Sequence, residues 1–196
     1  MYPVNEIFHS LQGEGYHTGT ASVFIRLSGC NLRCDFCDTD HEHSTLMSLP
    51  EIVEKVNQYP LAPLIVLTGG EPSLWIDDTL VSGLKTLTGK RIAIETNGTR
   101  PLPQGIDWVT LSPKGAFTGG DIQPCVLTQC DELKVVFTGQ NLAQYDHIKS
   151  THRFLQPCYS DDARQRKANM AATVAAVLAH PAWRLSLQTH RILQIP

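Results

Sequence analysis

Along most of the chain, short apolar runs alternate with apolar stripes at helical spacing. SVFIRLS (22–28) sets Val23, Ile25 and Leu27 against Phe24 and Arg26, the two-residue period of a strand. SLPE (48–51) is a capping box with Pro50 in the first turn. Leu49, Ile52, Val53 and Val56 follow on one face and predict a helix to about Tyr59. LIVL (64–67) predicts a buried strand, and Leu80, Val81, Leu84 and Leu87 form the next helical stripe. RIAIE (91–95), WVTL (108–111), ELKVVF (132–137) and RFLQ (153–156) predict further strands, with a helix over about 141–150 between the last two. An Ala-rich helix over about 161–179 and a final strand at RLSLQ complete the pattern, while 112–131 carries no helical stripe.

This alternation predicts an α/β fold, a parallel sheet of about six strands before the last helix, with helices outside it. Such a sheet is either open or part of a barrel. The segments SGC (28–30), TGGEP (68–72), ETNG (95–98), SPK (112–114), QPC (156–158) and QTH (188–190) all fall just after strands. In both architectures that carboxyl-end rim is where sites are built, so the chemistry is expected there.

Composition then narrows the class. At 196 residues, with no repeat and no linker, the chain is expected to form one domain over 1–196. A formal net charge of −3 gives no basic footprint, so nucleic acid is not an expected partner. No apolar run approaches the ~20 residues that span a bilayer, so no membrane is expected either. MYPVNEIFHSLQGEG has neither a charged n-region nor an apolar h-region, which predicts a cytoplasmic protein. A reducing compartment argues against reading the six cysteines as three disulfides.

Their distribution agrees. Cys30, Cys34 and Cys37 are bunched in GCNLRCDFCDT, whereas Cys125, Cys130 and Cys158 are scattered, as small hydrophobic cysteines often are. Three readings fit the bunch. Structural zinc needs a fourth ligand, for which His41, His43, Cys125 or Cys130 is available. A redox dithiol uses Cys34 and Cys37 and leaves Cys30 idle. A 4Fe–4S cluster on three thiolates leaves one iron open to a ligand that is not protein, which accounts for the count of three.

C-x3-C-x2-C with Phe36 before the last cysteine, followed by TGGEP on the next strand's rim, resembles the radical S-adenosylmethionine (SAM) superfamily. NEIFHSLQGEG (5–15), FIRLSGC (24–30), FCDT (36–39), TLSPK (110–114) and WRLSLQTH (183–190) resemble, within it, the 7-carboxy-7-deazaguanine synthase family. The resemblance runs through essentially the whole chain. It implies a reduced, partial (β/α) TIM-like barrel with few helices, usually a homodimer. The implied activity is a lyase reaction of queuosine and 7-deazapurine biosynthesis. It contracts 6-carboxy-5,6,7,8-tetrahydropterin to 7-carboxy-7-deazaguanine with loss of ammonia. The implied cofactors are a 4Fe–4S cluster, SAM and Mg²⁺, with an external one-electron reductant of the flavodoxin or ferredoxin type.

Residue by residue, the resemblance assigns the cluster to Cys30, Cys34 and Cys37, and Mg²⁺ to Thr39. It assigns SAM to Phe36, Cys37, Asp38, Gly70, Ser112, Pro113, Lys114, Gln156, Pro157, Cys158 and Tyr159. The substrate falls to Leu11, Gln12, Gly13, Glu14, Arg26, Thr68 and Pro196, with Arg26 forking onto its carboxylate. No side chain is assigned a catalytic role beyond the cluster and cofactor. The rival readings are a small radical SAM activase that makes a glycyl radical on a partner protein, and a zinc-binding interaction module. The second leaves TGGEP and LQGEG without a job.

Overall fold

The computed structural model describes residues 1–35, 37, 43–115 and 123–196. A nine-stranded sheet runs through the chain in the order β3-β1-β2-β4-β5-β6-β7-β8-β9. Its strands are β1 (Tyr2–Leu11), β2 (Ala21–Leu27), β3 (Thr45–Met47), β4 (Leu64–Gly69), β5 (Arg91–Thr96), β6 (Trp108–Leu111), β7 (Gln129–Phe137), β8 (Lys149–Pro157) and β9 (Arg184–Leu185). From β2 onward every pair is parallel, giving six strands before the last long helix, as the alternation predicted. The predicted all-parallel sheet gains two antiparallel strands, because β1 pairs with β2 on one side and with β3 on the other.

Helices cover only parts of the outer face. α1 (Leu49–Asn57) starts at the predicted capping box, with Ser48 and Glu51 bonded reciprocally, and buries Ile52 and Val56. α2 (Asp78–Thr88) is capped by Asp77 and ends on Gly89 in the left-handed region. Both helices pack on the outer side chains of β1, β2, β4 and β5, where Val23, Ile25, Leu27, Ile65, Leu67, Ile92 and Ile94 form the main core. A second core lies outside β6–β8, around Leu111, Leu133, Val135 and Leu155, and receives Ala176 and Val177 of α3 (Ala163–Ala179). The inner face carries a smaller apolar cluster of Phe24, Leu64, Val66 and Ala93.

Two predicted elements are corrected. The helix expected over 141–150 is a single 3₁₀ turn, Leu142–Tyr145, capped by Asn141. Leu142, Tyr145 and Ile148 are all buried, but strand pairing claims the chain from Lys149, which sits opposite Gln129. The strand expected at RLSLQ stops after Leu185. The Ser186 N–H still donates to Leu155 O, but its hydroxyl donates to Gln156 and accepts from the Gly15 N–H, so the loop after β1 docks where the strand would continue. A short helix α4 (Thr189–Leu193), absent from the sequence reading, follows.

Candidate active site

The carboxyl ends of the parallel strands open into a cleft of about 710 Å³. All six rim segments named from the sequence contribute to it, through Cys30, Thr68 to Glu71, Glu95 to Asn97, Ser112 and Lys114, Gln156 and Pro157, and Gln188 and His190. Cys34, Cys37, Leu11, Gln12, Gly13, Glu14, Arg26, Tyr159 and Pro196 also line it. Pro113 is buried between its lining neighbours, and Cys158 lies beside Tyr159 without lining the cleft. Phe36, Asp38, Thr39 and the alternative zinc ligand His41 fall outside the described residues.

The cysteine loop is built against TGGEP. The Gly70 N–H donates to Leu27 O at 3.1 Å and the Glu71 N–H to Gly29 O at 2.9 Å. A Cβ on Gly69 would overlap the Leu27 backbone, and one on Gly70 would overlap the Gly29 carbonyl, so the paired glycines are required by this approach. Glu71 is buried and accepts from Ser73 N, Thr96 Oγ1 and Asn97 N, which ties the rim of β4 to that of β5. Asn97 in turn donates to Asn31 inside the cysteine loop.

Cys30 accepts from the Leu32 N–H, and burial pushes the Cys30 and Cys34 thiols up, so a metal must displace their protons to bind thiolate. Among the described residues, no three His, Cys, Asp or Glu side chains converge on a point that would hold a single metal ion. Three thiols lining one cleft suit a cluster with one iron left open better than a closed tetrahedral zinc site, which needs four ligands. Beside them, Gly70 leaves backbone bare at the rim, and Ser112, Lys114, Gln156 and Tyr159 line the same cleft with polar and aromatic groups of the kind an adenosine and an amino-acid moiety would need. The donor set therefore fits a 4Fe–4S cluster with SAM.

The LQGEG segment crosses the barrel interior as the cleft floor. Lys134, 8% exposed, donates to Glu14 Oε2 at 2.5 Å and to Glu95 Oε1 at 3.1 Å. Gln188 donates to the other Glu14 oxygen, and Thr68 to the other Glu95 oxygen; Gln12 also donates to Glu95. Burial alone would raise the Glu14 carboxyl, but the Lys134 ammonium overcomes that and holds it well below the usual range. Burial likewise works against the Lys134 charge, and Glu14 and Glu95 reverse it, so this lysine keeps its proton. The floor is thus polar, with two carboxylates held about one fixed ammonium.

Two glycines let that floor form. A Cβ on Gly13 would overlap the His190 ring, and one on Gly15, at φ +65°, would overlap the Glu132 carboxylate. Glu132 is buried and accepts from the Tyr16 N–H, and its Oε1 has no hydrogen-bond partner among the described residues. The chain end closes the near side. Both the N–H and the hydroxyl of Thr189 donate to Gly13 O, and Ser10 Oγ donates to Pro196 O at 2.7 Å.

Glu95, Gln188 and His190 were named in the sequence only as members of their rim segments, and Lys134 was not given a site role. For Lys134 the signal was the period-two placement of charge inside an apolar strand, with Glu132 and Lys134 alternating with Leu133 and Val135 in β7.

Residues 24–117 match the model of the radical SAM superfamily. A Bacteroides thetaiotaomicron 7-carboxy-7-deazaguanine synthase is 55% identical over 100% of this chain and 99% of its own length. A Bordetella pertussis protein of the same name is 38% identical, again over 100% and 99%. The crystal structure of QueE from Escherichia coli superimposes with a TM-score of 0.71 at 30% identity, covering 95% of this chain and 93% of that one. Streptococcus suis SuiB bound to S-adenosylmethionine shares the fold alone, with a TM-score of 0.51 at 14% identity over 81% and 44%.

Proposed function

The chain belongs to the 7-carboxy-7-deazaguanine synthase family of radical SAM enzymes, and from that premise we propose how its residues carry the family's reaction. It is a lyase that contracts 6-carboxy-5,6,7,8-tetrahydropterin to 7-carboxy-7-deazaguanine and releases ammonia. The observation that carries this reading is the convergence of the three thiols, TGGEP, LQGEG, Arg26 and the chain end on one cleft. Neither a glycyl-radical activase nor a zinc module has a supporting observation among the described residues or the relatives named above.

Cys30, Cys34 and Cys37 would hold the cluster, and the rim from Gly70 to Tyr159 would hold SAM. When bound and reduced, they supply a one-electron cleavage that yields a hydrogen-abstracting carbon radical. The protein binds and orients around that chemistry. Arg26 offers its guanidinium to the substrate carboxylate. Gln12, Thr68, Glu14 and Glu95 meet the polar pterin edge, whose donors and acceptors match amide, hydroxyl and carboxylate groups. The Glu14 and Glu95 carboxylates favour the positive charge that develops as the ring nitrogen leaves, while Lys134 stays protonated and fixes both of them. Substrate and deazapurine differ by ammonia alone, with no net redox change, consistent with a hydrogen atom taken and returned.

Several finer assignments rest on the resemblance and stand here as proposals: Mg²⁺ at Thr39, a flavodoxin- or ferredoxin-type donor as the required reductant, and a cytoplasmic setting. No described helix is long and apolar enough to cross a membrane. A single domain over 1–196 is supported by one sheet running through all nine strands. A homodimer is supported by α3, which exposes Met170, Val174 and Leu178 at four-residue spacing. Sedimentation of the wild type against Val174→Asp tests that last point.

The deciding experiment is anaerobic reconstitution with iron and sulfide, followed by assay of the carboxytetrahydropterin under reduction. The expected result is about four irons per chain and formation of the deazapurine. Cys30→Ala should lose cluster absorbance and turnover together; full turnover in that variant would overturn the assignment.

A further inference from the structure

β1 contains an extra residue, and its consequence is chemical. Val4 pairs with Leu27 and Glu6 with Arg26, so Asn5 is the inserted residue of a β-bulge. Val4 packs in the outer core, and strict alternation would send Glu6 outward with it. The bulge resets the phase, and Glu6 and Phe8 face the cleft beside Arg26 and Phe24. Bulges re-aim side chains in this way next to active sites.

The re-aimed carboxylate meets one edge of the guanidinium. Glu6 Oε1 accepts from Arg26 Nε at 2.7 Å. Arg26 also lies over the Phe8 ring, 5.7 Å from its centroid, and Phe8 stacks on Phe24 at 4.9 Å. Among the described residues, neither Nη of Arg26 has a hydrogen-bond partner. The Nε side is therefore held and the apolar face is supported. The two-nitrogen fork, the part that takes a carboxylate through two parallel bonds, remains open in the cleft.

We propose that Glu6 is the positioning residue for Arg26, fixing its guanidinium so that the open fork receives the substrate carboxylate. The inference rests on the reading that Arg26 binds that carboxylate. Glu6 is half-exposed, with 49% of its side chain accessible, so its ion pair is a minor contributor to folding. What it supplies is preorganisation. An arginine free to sample its rotamers would lose that freedom on each binding event, and Glu6 removes the cost in advance.

The test compares wild type, Glu6→Gln, Arg26→Ala and the double variant, each reconstituted anaerobically. Two ligands are titrated at equilibrium, 7-carboxy-7-deazaguanine and 7-deazaguanine, which lacks the carboxylate. KM and kcat are measured alongside. Glu6→Gln should weaken the carboxylated ligand about tenfold, the worth of one charge-assisted hydrogen bond, and leave 7-deazaguanine binding as in wild type. KM should move more than kcat, and Glu6→Gln should add nothing in the Arg26→Ala background. The proposal is overturned by unchanged binding, by equal loss on both ligands, by tighter binding of the carboxylated ligand, or by an effect that persists without Arg26. If Arg26→Ala itself binds both ligands as wild type does, the underlying reading has failed instead.

Discussion

Lys134 gathers more charge around it than any other side chain described here, and its removal has a sign that can be worked out. Its ammonium bonds Glu14 and Glu95 in a floor from which most water is excluded. Glu14 titrates below the usual carboxylate range in the folded state. The stability it contributes is therefore fully present above the unfolded pKa of about 4.3 and is lost as the pH falls from there through the folded value. Lys134→Met leaves two half-buried carboxylates without their shared ammonium and should cost about 3 kcal/mol at neutral pH, the low end for a broken buried pair. In that variant Glu14 keeps the burial that raises its carboxyl and loses the ammonium that lowers it, so stability should rise on acidification from pH 7 to 5. Melting scans across that range check the inversion, and parallel pH profiles of variant and wild type would rule it out. The same floor constrains its glycines. Gly15→Ala meets both a positive φ and the Glu132 carboxylate, whereas the Cβ of Gly89→Ala enters open space at a similar φ. Gly89→Ala should cost about 1 kcal/mol from backbone strain, and Gly15→Ala clearly more, with lost turnover besides. Chemical denaturation of the pair separates the two contributions.

At the level of elements, legibility followed the length of the periodic signal. α1, α2 and α3 carried full apolar stripes or cap chemistry, and all three appear close to the predicted ranges. β1 did not, because its bulge breaks the two-residue phase: Val4 and Ile7 pack toward the outer core while Glu6 and Phe8 face the cleft. A strand with a phase slip reads as neither strand nor helix. The false helix at 141–150 failed for the opposite reason. Leu142, Tyr145 and Ile148 supplied a three-residue spacing that a 3₁₀ turn satisfies, and long-range pairing with β7 decided the remainder. Cap chemistry also ties elements together. Asp77 Oδ1 accepts from the Leu80 N–H at 2.8 Å and from Tyr2 Oη–H at 2.9 Å, so one carboxylate starts α2 and anchors the head of β1. Asp77→Ala should cost about 1–2 kcal/mol, at the upper end for a helix cap because a second partner is stranded. Tyr2→Phe combined with Asp77→Ala should cost little more than Asp77→Ala alone. Additive losses in the two single variants would break the coupling.

For the whole molecule, the site residues were legible as motifs but their meeting place was not. LQGEG, the cysteine loop and the chain end are far apart in sequence, and only the closure of the sheet brings Ser10 to Pro196 and Gly13 to Thr189. The charged floor was hidden for a related reason, since an inward-facing Lys134 in an apolar strand acquires its purpose from Glu14, 120 residues earlier. The tail is the last piece of that closure. Its hold is mostly polar, through Thr189 and Pro196 and through Arg191 over the Tyr159 ring, while Ile192 and Leu193 remain 69% and 55% exposed. Little apolar area would be lost with it, so removing residues 189–196 should lower the melting temperature only slightly. The cleft would lose its near wall, including the His190 ring packed on Gly13, and would admit water to the reacting groups. The truncated enzyme should keep its cluster absorbance, raise KM for the pterin at least about tenfold, and cleave SAM in excess of product formed. Iron content, melting temperature and the ratio of 5′-deoxyadenosine to product, measured on one preparation, test the idea together. An unchanged KM and an unchanged ratio would make the tail a bystander to the cleft it covers.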